Sequence, residues 1–140
     1  MILEYQAVKA RGEEAPSLEG VISDVVRVND AGGAVRDNYV VLTMSVPAEE
    51  TDRWTAVTRP DHDREVVFGT QAVAVDPTGV MLFVEDLKAQ YLGHVLTVDG
   101  RRCDPIRRLP DVEEGEIKHD RTSGLFYAHM SWAFISRRSD

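Results

Sequence analysis

Residues 64–93 read REVVFGTQAVAVDPTGVMLFVEDLKAQYLG, and the alternation in the first half of this stretch predicts a long strand. Every second residue there belongs to one mainly apolar face: Val66, Phe68, Thr70, Ala72 and Ala74. The opposite face also becomes apolar toward Asp76, as in strands that are covered on both sides. We therefore expect this strand near the centre of a sheet.

The second half of the stretch predicts an amphipathic helix. Asp76 is a good N-cap acceptor, Pro77 suits the first helical position, and Gly93 is a natural stop after a helix that runs to about Leu92. One stripe at helical spacing contains Val80, Phe83, Val84, Leu87 and Tyr91. Met81 and Leu92 flank this stripe, and Leu82 falls on the polar side. These extra apolar residues indicate a second contact, with scattered exposed apolar residues as the alternative.

Strands are also predicted on both sides of this unit. Residues 39–46 (YVVLTMSV) form a strand whose start, 39–42, is expected to be buried on both faces. Residues 94–109 predict a hairpin around Asp99-Gly100, a pair that favours a type I′ turn, with Pro105 at an edge or bulge. Residues 125–136 predict a final strand. Its expected core face contains Phe126, Ala128, Met130, Trp132 and Phe134.

The first part of the chain gives weaker signals. Residues 2–11 predict a short helix with a faint apolar stripe of Ile2, Leu3, Ala7 and Ala10. Residues 12–17 read as a loop and 21–28 as a strand. Together the patterns predict one domain, 1–140, of the α+β class. We expect a mixed or antiparallel sheet packed against one main amphipathic helix, plus a short N-terminal helix.

Composition excludes several function classes. The net charge is −8 and the sequence pI is near 5.0, which disfavours phosphate-based binding of nucleic acid. Cys103 is the one cysteine of the chain, so neither an internal disulfide nor a multi-cysteine zinc site is expected. No signal peptide and no membrane span are predicted. We expect a protein made in a reducing cytoplasm.

Residues that could support catalysis are few. The cluster Asp61-His62-Asp63 could bind a divalent cation, but neighbouring residues point in different directions, and Arg59 and Arg64 are ready ion partners. His119-Asp120 is weaker. A nucleophile elbow and the glycine-rich phosphate-binding motifs are absent from the sequence. We therefore predict no catalytic residue, no metal site and no cofactor.

Surface contacts are the more promising role. The loop 48–63 is long and contains Trp54, which could anchor a partner or fold back on its own core. A basic cluster at 101–108 is followed by an acidic connection at 111–120. Two opposite patches suit head-to-tail contact between copies, although a solvated strand gives the same pattern. The candidate contact residues are Arg53, Trp54, Arg59, Leu82, Arg101, Arg102, Arg107, Arg108, Glu113, Glu114 and Glu116.

An ordered series of short matches resembles a known family. The matching segments are 39–42 (YVVL), the strand that ends at Asp76, the helix after it, 92–101 (LGHVLTVDGR), 104–106 (DPI) and 124–128 (GLFYA). Together they resemble the tail terminator proteins of long-tailed bacteriophages, particularly phages of actinobacteria. The resemblance covers about 38–136, whereas residues 1–37 depart from the family pattern.

The resemblance implies a structural virion protein rather than an enzyme. Such proteins form six-membered rings that cap the tail tube, end its polymerisation and join it to the head connector. The implied partners are further copies of the chain, the tail tube protein and the connector or stopper protein, with DNA passing through without specific binding. The implied location is the head–tail junction, after assembly in the host cytoplasm.

Three other functions stay open at this stage. The chain could be a head-completion or stopper protein of the same neck. It could be a small metal-dependent cytoplasmic enzyme that uses residues 61–63. It could also be a monomeric binding module anchored by Trp54.

Overall fold

The computed structural model describes residues 2–23, 38–45, 64–109 and 116–138, and it confirms the α+β class. Two helices occur in these ranges, α1 (Ile2–Glu13) and α2 (Pro77–Tyr91), together with a short 3-10 helix (Pro16–Leu18). Eight strands of these ranges form one mixed sheet: β1 (Ile22–Ser23), β2 (Tyr39–Ser45), β3 (Arg64–Ala74), β4 (Thr97–Val98), β5 (Arg101–Cys103), β6 (Arg107–Leu109), β7 (Lys118–His119) and β8 (Phe126–Arg138).

The sheet is built on the antiparallel pair β3 and β8. All eleven residues of β3 are paired, from Arg64 opposite Ser136 to Ala74 opposite Phe126. Strand β2 pairs antiparallel with the other edge of β3, so β3 is central as predicted. The predicted core face of β3 is buried, and so are all four residues of 39–42. Of the predicted strand at 21–28, β1 is observed parallel to β2, and residues 24–28 lie outside the described ranges.

Three short strands share the other edge of β8. Strands β5, β6 and β7 pair with it in turn, from its carboxyl end toward its amino end. Between β5 and β6, residues 104–106 lie opposite only Phe134 and Ile135, so one extra residue forms a bulge around Pro105. The acidic connection is not wholly a loop, because its end forms β7 on the free edge of β8.

Helix α2 has the predicted ends and the predicted buried stripe. Asp76 Oδ1 accepts a hydrogen bond from the Gly79 amide at 2.7 Å, and Gly93 adopts a φ of 76° just after the helix. Val80, Phe83, Leu87 and Tyr91 are buried and Val84 is partly buried against the core. These ends agree with the sequence because capping depends on local geometry alone.

An aromatic cluster joins α2 to the sheet. The ring of Phe68 lies 5.2 Å from Tyr91 and 6.3 Å from Phe134, centre to centre, and Tyr91 lies 5.7 Å from Trp132. The Trp132 indole donates to Thr70 Oγ1 at 3.0 Å, so its one polar atom is satisfied inside the core. The predicted core face of β8 is thereby confirmed, with Phe126 at its partly buried end.

The hairpin prediction is right in position and wrong in turn type. Strands β4 and β5 pair around Asp99-Gly100, and Gly100 has a φ of 74°. Asp99 does not have a positive φ, whereas a type I′ turn requires one at both central residues. Glycine alone takes the left-handed conformation because it has no Cβ to clash.

The predicted face of the N-terminal helix is wrong at three of its four residues. Ile2 and Leu3 are 70% and 48% exposed and Ala10 is also exposed, whereas Ala7 is partly buried against the core. The fully buried residues of α1 are instead Glu4, Val8 and Gly12. These three residues recur every fourth position, but only one of them is a large apolar side chain, so hydrophobic periodicity could not reveal them. The helix also continues to Glu13, where a loop was predicted.

Gly12 is the point of closest approach between α1 and the rest of the fold. A Cβ there would collide with the Tyr91 hydroxyl and lie 2.7 Å from Ile22 Cδ1. The Tyr91 hydroxyl itself donates to the Val8 carbonyl at 2.8 Å. The absence of a side chain at position 12 therefore lets α1 lie directly on α2.

We expect Gly12→Ala to destabilise the protein although alanine favours helices. Overpacking costs ~1–3 kcal/mol, whereas the gain in helix propensity is ~1 kcal/mol, so a net loss of ~1 kcal/mol is expected in urea unfolding. In a Tyr91→Phe background the loss should shrink, because one of the two obstructing groups is gone. Equal losses in both backgrounds would contradict the proposed contact.

Candidate assembly surfaces

A buried carboxylate, Glu4, holds the start of α1 against the sheet. Glu4 is 2% exposed, and its Oε1 accepts a hydrogen bond from Ser136 Oγ at 3.2 Å. The Nε atoms of Arg64 and Arg101 lie 3.8 and 3.9 Å from the same oxygen. Arg101 also donates to Ser136, to Oγ at 2.9 Å and to the carbonyl at 2.7 Å. Glu4, Ser136 and the two arginines thus form one polar cluster at the end of the sheet.

The charge of Glu4 is stabilised in this cluster. Burial by itself raises the pKa of the carboxyl, but the pKa lies below its ordinary value, and the hydrogen bond from its own backbone amide and the charge of Arg64 are among the causes that lower it. An ionised carboxylate is therefore the form that docks α1.

The predicted basic cluster is divided between the two faces of the sheet. The Arg101 side chain is only 8% exposed and is part of the Glu4 cluster. Arg102 is exposed on the other face, and Arg107 is 51% exposed. Arg108 lies opposite Trp132 on the helix side and is partly buried. Strand alternation sends adjacent arginines to opposite faces, so the sequence cluster is not one surface.

The face of the sheet away from both helices carries a group of residues that we call the sheet patch. It consists of Glu65, Val67, Arg102, Asp104, Arg107, Ile135 and Arg137, which the strand register brings together. Arg107 Nη2 lies 3.1 Å from Glu65 Oε2, and Arg137 makes two hydrogen bonds to Asp104, at 2.8 and 3.1 Å. The hydrogen bonds from Arg137 lower the pKa of Asp104 and so favour its charged form.

The outer side of α2 carries a second group, the helix patch, which consists of Met81, Leu82, Glu85, Ala89 and Leu92. All five residues are exposed, and Met81, Leu82 and Leu92 are each at least half exposed, at 50%, 56% and 54%. They follow helical spacing and face away from the buried stripe. Leu82 therefore lies where the sequence placed it, outside the core.

A cleft of about 500 Å³ at the other end of the sheet was not predicted. Tyr39, Val73 and Tyr127 line it, and the turn that begins at Asp120 forms a wall. Asp120 accepts hydrogen bonds from the Ser123 hydroxyl at 2.8 Å and from the Thr122 amide, which lower its pKa. The sequence of residues 120–124 (DRTSG) is rich in turn-forming residues and could have predicted this turn.

Several predicted candidates lie outside the described ranges. These are Arg53, Trp54, Arg59, Glu113 and Glu114, and the cluster at 61–63. Glu116, just before β7, is described and exposed.

His119 and Cys103 are the remaining side chains that could take part in a reaction, and both pack against other residues of the fold. His119 stacks on Phe126 with ring centres 4.4 Å apart, and burial raises the pKa of the Cys103 thiol. Within the described ranges, groups of three or more His, Cys, Asp or Glu placed to hold a metal ion are not found. Neither helix in those ranges is long and apolar enough to cross a membrane.

The chain matches no protein-family model and no curated protein. Among solved structures, it is similar to a chain in the virion of a native gene transfer agent particle. The two chains share 12% sequence identity with a TM-score of 0.59, and the match covers 97% of each. The likeness shows that the two chains share a fold, and it extends over nearly the whole chain, including residues ahead of 38.

We expect the stability contribution of Glu4 to depend on pH in a defined direction. The folded-state pKa lies below the ordinary value of 4.5, so the contribution is complete above that value and is lost as the pH falls through the folded-state pKa. Wild type should therefore exceed Glu4→Gln by ~2 kcal/mol in free energy of unfolding near pH 7, and the gap should close as the pH falls below 4.5 and through the folded-state pKa. Urea unfolding across this range measures the gap, and a constant gap would contradict the assignment.

Arg101 and Arg102 form a matched pair of neighbours for a second test. Arg101→Ala leaves the buried carboxylate of Glu4 short of a partner and should cost ~3 kcal/mol of unfolding free energy. Arg102→Ala removes an exposed side chain and should change it by less than ~0.5 kcal/mol. Similar losses for the two variants would show that the division between faces is wrong.

Proposed function

We propose that the chain is a structural protein of a tailed virus-like particle. Within the particle it forms a ring, expected to be hexameric, that caps the tail tube, ends its polymerisation and joins it to the head connector. Its partners are further copies of the chain, the tail tube protein and the connector or stopper protein, at the head–tail junction. The head-completion or stopper role in the same neck is the nearest alternative.

The observation that supports this proposal most is the fold shared with a virion chain over 97% of both lengths. A backbone comparison and a sequence resemblance are separate kinds of evidence, since identity to that chain is only 12%. The sequence resemblance to tail terminators over about 38–136 points to the same class of particle. A shared fold alone does not carry function, so the proposal rests on the agreement of the two.

The surfaces of the protein suit a ring. A closed ring uses heterologous contacts, in which each copy offers two different complementary surfaces. The helix patch and the sheet patch are two such surfaces on opposite sides of the sheet. The loop candidates Arg53, Trp54 and Arg59, and the acidic residues Glu113, Glu114 and Glu116, remain proposed contacts to the tube or the connector.

The charge of the chain suits passage of DNA through such a ring. Each copy carries a net charge of −8, so a ring surrounds its central hole with acidic subunits. Phosphates are repelled by such a wall, which favours sliding over binding. We expect no specific contact with DNA.

Electron microscopy of the purified protein, alone and mixed with tail tubes isolated from the same particle, tests this proposal. We expect ring particles and a cap at one end of each tube, and tubes should stop growing when the protein is added. Rings that bind connectors and ignore tube ends would favour the stopper role. A protein that stays monomeric at high concentration and binds neither structure would overturn the proposal.

A further inference from the structure

We propose that neighbouring copies in the ring are joined by the helix patch of one copy packing against the sheet patch of the next. This inference rests on the proposed function for its occupant, a second copy of the chain. It replaces the contact that the sequence suggested, in which the basic cluster met the acidic connection at 111–120.

The apolar parts of the two patches complement each other. Met81, Leu82 and Leu92 project from α2, each at least half exposed. Val67 and Ile135 lie partly buried in the sheet patch, on neighbouring strands and the same face. A row of projecting side chains on a helix and a shallow apolar area on a sheet are the two halves of ordinary helix-on-sheet packing. Apolar residues at the centre of a contact supply most of its stability.

The charges around these apolar residues favour unlike patches over like ones. The helix patch contains one charged residue, Glu85, and so carries a charge of −1. The sheet patch contains Arg102, Arg107 and Arg137 against Glu65 and Asp104, a net charge of +1. Contact between two helix patches or two sheet patches would place like charges together, whereas contact between unlike patches is attractive.

Arg102 is the cation best placed to meet a carboxylate of another copy. Its side chain is exposed and has no hydrogen bond or salt bridge with a described residue, although its charge acts on Asp104, whereas Arg107 and Arg137 are already paired with Glu65 and Asp104. On the helix patch, Glu85 is exposed among Met81, Leu82 and Ala89. An Arg102–Glu85 pairing is therefore the charged contact that this docking would add.

The placement of the two patches allows every copy to use both at once. The helix patch faces outward from the helix layer, and the sheet patch faces outward from the other side of the sheet. Because neither patch blocks the other, each copy can bind one neighbour through each, which is what a closed ring of identical contacts requires.

Two variants that each damage one patch provide the test. Leu82→Asp introduces a charge into the exposed part of the helix patch. The double variant Arg102→Glu/Arg107→Glu reverses the charge of the sheet patch at exposed positions. Arg121→Glu, on an exposed turn outside both patches, is the matched control. Circular dichroism and the urea midpoint establish that all variants fold.

We expect each patch variant to bind its own kind at least ~10-fold more weakly than wild type and to form no rings, while the Arg121→Glu control still forms them. A 1:1 mixture of the two patch variants should give heterodimers in sedimentation velocity. Each dimer would use the intact sheet patch of the Leu82→Asp chain and the intact helix patch of the arginine variant, and no larger ring could close.

Specific outcomes would overturn the inference. Rings formed by Leu82→Asp, or a mixture that contains no heterodimer while wild type forms rings, would show that the ring is closed by other surfaces and leave the proposed function standing. Loss of tube binding with wild-type rings retained would assign the patches to another virion protein, against this inference. Wild-type protein that forms no ring, alone or on tube ends, would overturn the proposed function itself.

Discussion

The pairing of β3 with β8 is the constraint on which the rest of the fold depends. Eleven residue pairs join the two strands. They bring together residues that are far apart in sequence, such as Thr70 and Trp132, which are 62 positions apart. Helix α2 begins three residues after β3 and returns over the sheet, and β5, β6 and β7 take their places along the free edge of β8. A slip of one residue would turn Trp132 and Phe134 out of the core, so the aromatic cluster fixes the register.

Helix α1 is attached to this framework by a different kind of interaction. Val8 is its one fully buried apolar side chain, with Tyr5 and Ala7 partly buried beside it. Its polar contacts include the Glu4 cluster, the Tyr91 hydroxyl and the hydrogen bond from Arg11 to the Gln90 carbonyl, and Gly12 allows the close approach. An ionised carboxylate between two arginines is costly to bury and costly to disrupt. The position of α1 is therefore specified by polar geometry, whereas the position of α2 is specified by apolar packing.

The two-layer arrangement also explains how one small domain can offer two unlike surfaces. Both helices cover the same face of the sheet, which leaves the outer side of α2 and the far side of the sheet as separate surfaces. The shared fold with a gene transfer agent virion chain, together with the resemblance to tail terminators, suggests a use for them in a ring. The bulge around Pro105 contributes to this layout, because it sets Arg107 opposite Ala133, beside Val67.

The sequence by itself determined the local features of this protein. Short-range sequence patterns predicted the caps of α2, its buried stripe, the central strand β3 and the core face of β8. These patterns do not depend on which distant residues the segment contacts. Only the tertiary structure decided the buried face of α1. Glu4 can be buried because Arg101 and Ser136 contact its carboxylate, and Gly12 is needed because Tyr91 lies against it. All three of these contacting residues are distant in sequence from α1. The tertiary structure also decided that Arg101 is internal while Arg102 is external, since the face of a strand residue is set by the strands with which it pairs. The physical reason is the same in both cases: the energy of a charge or a missing side chain depends on neighbours that folding brings together.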